Sequence, residues 1–241
     1  MTHRCESLQI SSLYPEAFGV AAPEALGEKR LRPRQPAFMV WRGVPTEDTP
    51  GTRPEGAPAA PPPARQLSAA QWGLVPHWVK SESDGKLRAG KLVEARSETV
   101  TTSRAFRDAW LQGQRCIVPL MAFYVDDWRS GQAVATRIWR TDDRPMGAAG
   151  LWARWVGPKG QSLLSFALLT VNANAHGLMH RYKPPGNDAH MPVLLNEGAY
   201  DAWLDVRVDK AKEFMRPYPA QSLTANPVQD KAAHKRPPQL R

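Results

Sequence analysis

Two tryptophans six residues apart, Trp72 and Trp78, bracket Gly73 and Pro76 in the run Gln71-Trp72-Gly73-Leu74-Val75-Pro76-His77-Trp78. Large flat rings are thereby displayed from a constrained turn. The polar stretch from Glu94 to Arg104 follows, with two arginines, two glutamates and five hydroxyl side chains. Rings and arginines presented beside a β core are the ingredients of a groove for single-stranded nucleic acid. Aromatic faces stack on bases of any sequence, and guanidinium forks grip phosphate. The same residues also fit a plainer arrangement, with the tryptophans in the core and Arg96 paired internally with Glu98.

Histidines offer a second constellation. His176 and His180 are spaced His-x-x-x-His, which on a helix puts two imidazoles on one face as zinc ligands, with His190 as a possible third. The glutamate that follows the first histidine in metalloproteases is missing, and Gly177 weakens the helix. Neither a metal nor any other cofactor is therefore expected. No phosphate-cradling glycine motif or Ser-His-Asp arrangement occurs.

Composition narrows the class. The chain has 241 residues, 42% of them hydrophobic, with nine tryptophans, enough for a substantial core. Its formal net charge is +9 and its pI about 9.8, which favours a polyanionic partner. No run approaches the ~20 apolar residues of a membrane span. The N-terminus, Met1-Thr2-His3-Arg4-Cys5-Glu6, lacks the apolar region of a signal peptide. A cytoplasmic protein without a membrane partner is expected, with a monomer favoured and Cys5 and Cys116 as free thiols.

The elements that must position these residues are mostly strands. Residues 7–12, 37–44, 67–75, 92–95, 116–124, 133–140, 147–156, 163–171 and 192–195 read as strands, with turns at Ser130-Gly131, Asp142-Asp143 and Pro158-Lys159-Gly160. Helices are expected over 14–30, with a break at Pro23, and over 103–111, with Ser103 as N-cap and Phe106 and Trp110 on one face. Further helical turns are expected over 175–180, 197–204 and 209–215. Residues 80–90 read as a charged loop, and 29–34 as a basic cluster that either lines a phosphate track or is a solvated loop. Residues 45–64, rich in Pro and Ala, read as a loop inserted within one domain spanning 1–228, and 229–241 as a basic tail. Many strands with few short helices predict an α+β fold with a largely antiparallel sheet.

The succession Trp72-Gly73-Leu74-Val75-Pro76, Ala95-Arg96-Ser97-Glu98-Thr99, Ser103-Arg104-Ala105-Phe106, Arg115-Cys116-Ile117-Val118-Pro119 and Ala122-Phe123-Tyr124 resembles the SOS response-associated peptidase (SRAP) family. The likeness continues through Ala149-Gly150-Leu151-Trp152, the run from Leu169 to Ala175, and Met191-Pro192-Val193-Leu194-Leu195. It implies a mixed, bifurcated, barrel-like sheet edged by short helices. It also implies binding of single-stranded or abasic-site DNA in the DNA-damage response. Arg4, Arg96 and Arg104 match family arginines that hold DNA phosphates, and Trp72 and Trp78 keep their place in the motif.

Family members expose a cysteine directly after the initiator methionine. Its thiol and α-amine capture the aldehyde of an abasic site as a thiazolidine, aided by an asparagine, a glutamate and a histidine. This chain departs at all four positions. Thr2 replaces the cysteine, Glu94 the asparagine and Val125 the glutamate, while Lys183 stands where the histidine is expected and His180 lies nearby off register. Thr2, Glu94, Lys183 and His180 are thus the candidate catalytic residues, with Asp126 or Asp127 as stand-ins for the carboxylate. Cys5 lacks a free α-amine and is expected to be a buried structural thiol. The resemblance therefore implies a DNA binder whose crosslinking is reduced or lost. Two alternatives stand beside it: an active N-terminal-threonine member with autoprocessing peptidase or abasic-site lyase activity, and a protein-interaction module using the former DNA groove.

Overall fold

The structure, a computed structural model, describes residues 4–43 and 63–228. Thr2, nearly all of the 45–64 segment and the 229–241 tail lie outside the described residues. In chain order the elements are β1 (Cys5–Glu6), α1 (Leu13–Phe18), β2 (Arg30–Leu31), β3 (Pro36–Arg42), β4 (Arg65–Trp72), α2 (Glu82–Ala89), β5 (Glu94–Arg96), α3 (Arg107–Leu111), β6 (Arg115–Leu120) and β7 (Ala122–Asp127). They continue with β8 (Val134–Arg140), β9 (Met146–Val156), β10 (Ser162–Asn172), β11 (His190–Pro192), β12 (Leu194–Leu195), α4 (Tyr200–Asp205) and β13 (Leu223–Pro227). Short 3-10 turns cover Met179–Arg181 and Ala211–Phe214.

The larger sheet closes on itself. Strands run β10-β4-β3-β6-β9, and β9 pairs back onto β10, making a five-stranded barrel to which β5, β11 and β12 are added. The β10–β4 and β10–β5 pairings are parallel, and the others in this sheet are antiparallel. A second, five-stranded sheet has the order β13-β8-β7-β1-β2. The expected α+β fold with a mixed, barrel-like sheet is what the chain adopts.

The apolar run at 116–124 reads as one strand but serves two sheets. Arg115–Leu120 lies in the barrel between β3 and β9, whereas Ala122–Asp127 lies in the second sheet between β1 and β8. The chain changes sheet at Met121, whose N–H donates to the Glu6 carbonyl of β1. Every residue of β6 is buried, so its sequence shows no alternation to mark the change. This is the fork of the fold.

Several boundaries differ from the sequence expectation for identifiable reasons. The helix expected over 14–30 stops at Phe18, because Gly19 adopts the left-handed conformation (φ 66°) and donates its N–H to the Pro15 carbonyl. The first strand is Cys5–Glu6 and not 7–12. Residues expected as a charged loop form α2. Ser81 caps it by accepting from the Asp84 N–H, and Glu82–Lys86 and Asp84–Arg88 pair one turn apart. Gly85 lets α2 sit close: a Cβ there would come within 3.3 Å of Val75. The strand at 223–227, unanticipated, pairs with β8. No helix among the described residues is long and apolar enough to cross a membrane.

The β3–β4 hairpin stays in register to its open end, where Arg42 faces Arg65. Arg42 also makes a bidentate bond to Asp205 of α4, with distances of 2.6 and 2.7 Å. The 45–64 segment thus only has to connect two strands already held in place. Loop-closure entropy changes by only about 0.6 kcal/mol per doubling of length. Replacing residues 45–62 with a short Gly-Ser turn is expected to leave Tm within a few degrees, as read by calorimetry. In contrast, Gly73 has φ 119° and its Cβ would fall 2.2 Å from the Ala89 carbonyl oxygen. Gly73→Ala should cost at least about 2 kcal/mol, lowering Tm by roughly 4–8 °C.

Candidate nucleic-acid interface

The two tryptophans have different fates. Trp72 ends β4, is 1% exposed, and donates its indole N–H to the Val93 carbonyl. It is a core residue, and no base can stack on it there, so its expected DNA-stacking role is corrected. Its backbone also pins the preceding loop, since its carbonyl accepts from Arg34 and its N–H donates to the Gln35 carbonyl. Trp78, after the Gly73–Pro76 turn, is half-buried. The guanidinium of Arg104 lies 4.6 Å from its ring centroid and that of Arg88 5.1 Å. Sequence periodicity does not separate the two rings, because the difference arises from α2 and the 99–106 turns packing around Trp78.

Strand β5 supplies the polar wall. Its middle residue, Ala95, is buried, so Glu94 and Arg96 project from the opposite face, as alternation requires. With Gly90, Lys91, Thr99 and Phe106 they line an open cavity of about 440 Å³. Arg96 and Arg104 are exposed, and neither forms an ion pair among the described residues. The internal Arg96–Glu98 pair is absent. Glu98 instead accepts from the Asn172 N–H and lies 3.6 Å from His190 Nε2. No local pattern signals this Glu98–His190 contact, which depends on β5 and β11 both pairing with β10.

The N-terminal strand reaches the same region. Arg4, the first described residue, accepts a hydrogen bond at its carbonyl from the Tyr124 N–H. Its guanidinium lies over the Tyr124 ring and 3.7 Å from Asp126. Burial, then the charges of Glu94 and Glu6, push the Cys5 thiol well above its ordinary value, so Cys5 is an inert core thiol. Val125, in the position expected for a catalytic glutamate, is 2% exposed in the hydrophobic core. Of its acidic neighbours, Asp127 is held by Arg129 through both carboxylate oxygens, and Asp126 is half-exposed beside Arg4.

The remaining candidates stand on the segment after β10. Lys183 Nζ donates to Asn174 Oδ1 at 3.3 Å, and Asn174 Nδ2 donates to Asp188 at 2.7 Å. His180 is exposed, with Nδ1 2.8 Å from the His176 carbonyl oxygen. His176 is structural. Its Nδ1 accepts from the Leu178 and Met179 N–H groups, which puts the proton on Nε2, donating to the Tyr218 carbonyl. Both ring nitrogens are occupied. Among the described residues no group of three His, Cys, Asp or Glu side chains is placed to hold a metal ion.

A buried acid that sequence reading missed locks β1 to its sheet. Glu6 accepts from the Tyr124 hydroxyl and from Arg137 Nη2 and Nε, the latter two at 2.9 and 3.1 Å. Burial pushes the Glu6 carboxyl up, but the bonds from Arg137 and Tyr124 outweigh it and hold the group below the usual carboxylate range. Burial and the Glu6 contact push the Tyr124 phenol up to about 12.

The family profile described as SOS response associated peptidase (SRAP) matches residues 16–234. The chain is 30% identical over 171 residues to the abasic site processing protein YoqW of Bacillus subtilis, covering 68% of this chain and 69% of that protein. It is 26% identical over 185 residues to the abasic site processing protein HMCES of Gallus gallus, of which it spans 53%. A solved structure from Bordetella bronchiseptica superposes with a TM-score of 0.81 at 31% identity, covering 94% of this chain and 99% of that one. One from Bacteroides thetaiotaomicron, with a TM-score of 0.73 and 17% identity, shares the fold.

The Glu6 cluster makes stability depend on pH with a defined sign. A carboxyl whose folded value is depressed stabilises above its unfolded value, about 4.3, and that contribution is lost as pH falls through the folded value. Glu6→Gln should lower stability by about 1–3 kcal/mol near pH 7. The gap in Tm between wild type and variant should close below about pH 4. Melting curves recorded from pH 3 to pH 7 check this (a gap independent of pH contradicts it).

Proposed function

The chain belongs to the SOS response-associated peptidase family, and on that footing we propose that it binds single-stranded DNA, abasic sites included, in the response to DNA damage. Durable crosslinking is reduced or lost. The observation that carries this reading is the placement of Arg96 and Arg104. Neither has a carboxylate partner among the described residues; Arg96 lines the open cavity of Glu94 and Arg104 lies over Trp78, whereas Arg42, Arg65, Arg137 and Arg140 are tied to carboxylates. Guanidinium groups left unpaired in this way are available to phosphate. Trp78, backed by Arg104, offers the partly exposed ring. Arg4, already beside Asp126, contributes less. The relatives named as abasic site processing proteins support the same ligand class. A cytoplasmic setting suits the two buried, unpaired thiols, and we favour a monomer.

If about four phosphates are neutralised on a single strand, log K should fall against log salt with a slope near −3. Arg96→Ala with Arg104→Ala should flatten it by about 1–1.5. Fluorescence anisotropy of a labelled oligonucleotide measures both. Affinity indifferent to salt would point instead to a protein-interaction role for the groove.

The chemistry left to this member rests on Thr2. With Met1 removed, the α-amine of Thr2 has a pKa near about 7.7–8.0 and is partly neutral at pH 7. It attacks the aldehyde carbon of an abasic site, a C=N bond forms, and water leaves. A thiol would add to this imine to close a stable ring, but a threonine hydroxyl without a base is a poor nucleophile. Val125 supplies no carboxylate, so the imine reverts or, with Lys183 acting as base, the strand is cleaved. Borohydride, which reduces C=N to the amine, should trap an adduct visible by intact mass. Denaturation without reductant should leave none, and a heat-stable adduct in that arm refutes this account. Cleaved strands favour the abasic-site lyase reading, and Thr2→Cys should increase durable crosslinking.

A further inference from the structure

Arg115 opens β6 and is 4% exposed, yet among the described residues its guanidinium has no carboxylate partner. Nε and Nη2 are sealed from solvent without any hydrogen-bond partner. The group is held between two rings, 5.8 Å from the Trp110 centroid and 5.4 Å from that of Trp203. A Cβ on Gly113 would lie 3.0 Å from Nη1, so the glycine, at φ 66°, makes room for that end. Stacking on aromatic faces satisfies part of the charge but none of the N–H groups. Desolvation accordingly pushes the pKa down to about 10. Asp205 lines the same cavity as Arg115, but its carboxylate is engaged by both Nε and Nη2 of Arg42, which also lines it.

Arg115 also lines a cavity of about 420 Å³, with Trp152 and Leu204 as apolar lining and Gln112 and Gln114 as amide lining. The cavity shares none of its residues with the Glu94–Arg96 groove. We propose that this cavity is a binding site for a small organic anion. Its oxyanion head pairs with Nη1 of Arg115, the guanidinium nitrogen not sealed from solvent, and its apolar body lies against Trp152 and Leu204. A guanidinium N–H suits carboxylate and phosphate alike, so the head group is an oxyanion of either kind. The inference is independent of DNA binding, because neither Arg96 nor Arg104 takes part.

The probes are benzoate, phenyl phosphate and inorganic phosphate, titrated against the full chain with tryptophan fluorescence and Tm as readouts. Benzoate or phenyl phosphate should bind saturably and raise Tm, and the tighter of the two identifies the head group. Inorganic phosphate should bind at least roughly tenfold more weakly, lacking the apolar body. Arg115→Met, of similar length and uncharged, should abolish saturable binding. Arg115→Lys keeps the charge without the fork and should weaken binding at least roughly tenfold, which serves the test if the methionine variant does not fold. Arg96→Ala with Arg104→Ala should leave probe affinity unchanged. The proposal is overturned if neither organic probe binds the wild type, if inorganic phosphate binds as tightly as phenyl phosphate, or if probe affinity survives in Arg115→Lys undiminished.

Discussion

Strand β10 is paired along both edges, and the rest of the molecule depends on that. It takes β9 antiparallel over seven residue pairs, β4 and β5 in parallel, and β11 antiparallel at its end. The β9 pairing closes the barrel. The β5 pairing, with Thr170 beside Arg96, fixes which face of that short strand turns outward. A slip of one residue would send Glu94 and Arg96 into the core and Ala95 to the cavity. The barrel core is thus also the register device of the polar groove.

The surface charge of a basic protein is informative only after its internal pairing is known. A net charge of +9 predicts a polyanionic partner but not where it lies. Much of the arginine is structural. Arg42 and Arg65 converge on Asp201, Arg140 joins Asp142 to Glu197, and Arg137 neutralises buried Glu6. Among the arginines without a carboxylate partner in the described residues are Arg96, which lines one cavity, Arg104, which lies over Trp78, and Arg115, which lines another cavity. The first pair is exposed and screened by solvent, suited to an extended phosphate chain. The third is sealed between indoles, where an unpaired charge interacts over a low-dielectric path.

Strands and their order were legible because alternation and length survive in the long elements: Met146–Val156 and Ser162–Asn172 lie within a residue of their sequence-read limits. What was not legible came from tertiary contacts. The fork at Met121 is invisible in a run buried on both faces. α2 was hidden by its polarity and by Gly85, whose use is a close approach to Val75. The site was legible in its residue types and less so in their roles. Glu94 and Arg96 line one cavity and Arg104 lies over Trp78, whereas Trp72, from the same motif as Trp78, belongs to the core. The Glu6–Tyr124–Arg137 cluster joins residues more than a hundred positions apart, and no local pattern announces it.

Val125 shows what the fold asks of the position where the resemblance expects a catalytic glutamate. It lies on β7 between Tyr124 and Asp126, with its side chain in the core and theirs on the opposite face. A carboxylate at that position would need a donor or a counter-charge. Here the arginine of the neighbouring strand, Arg137, is committed to Glu6 on the other face. Valine removes that demand and adds apolar burial to the core of the fork. Glu94 lines the cavity beside Arg96. In the proposed reading, that leaves an architecture built to position a reversible imine over one built to seal a ring.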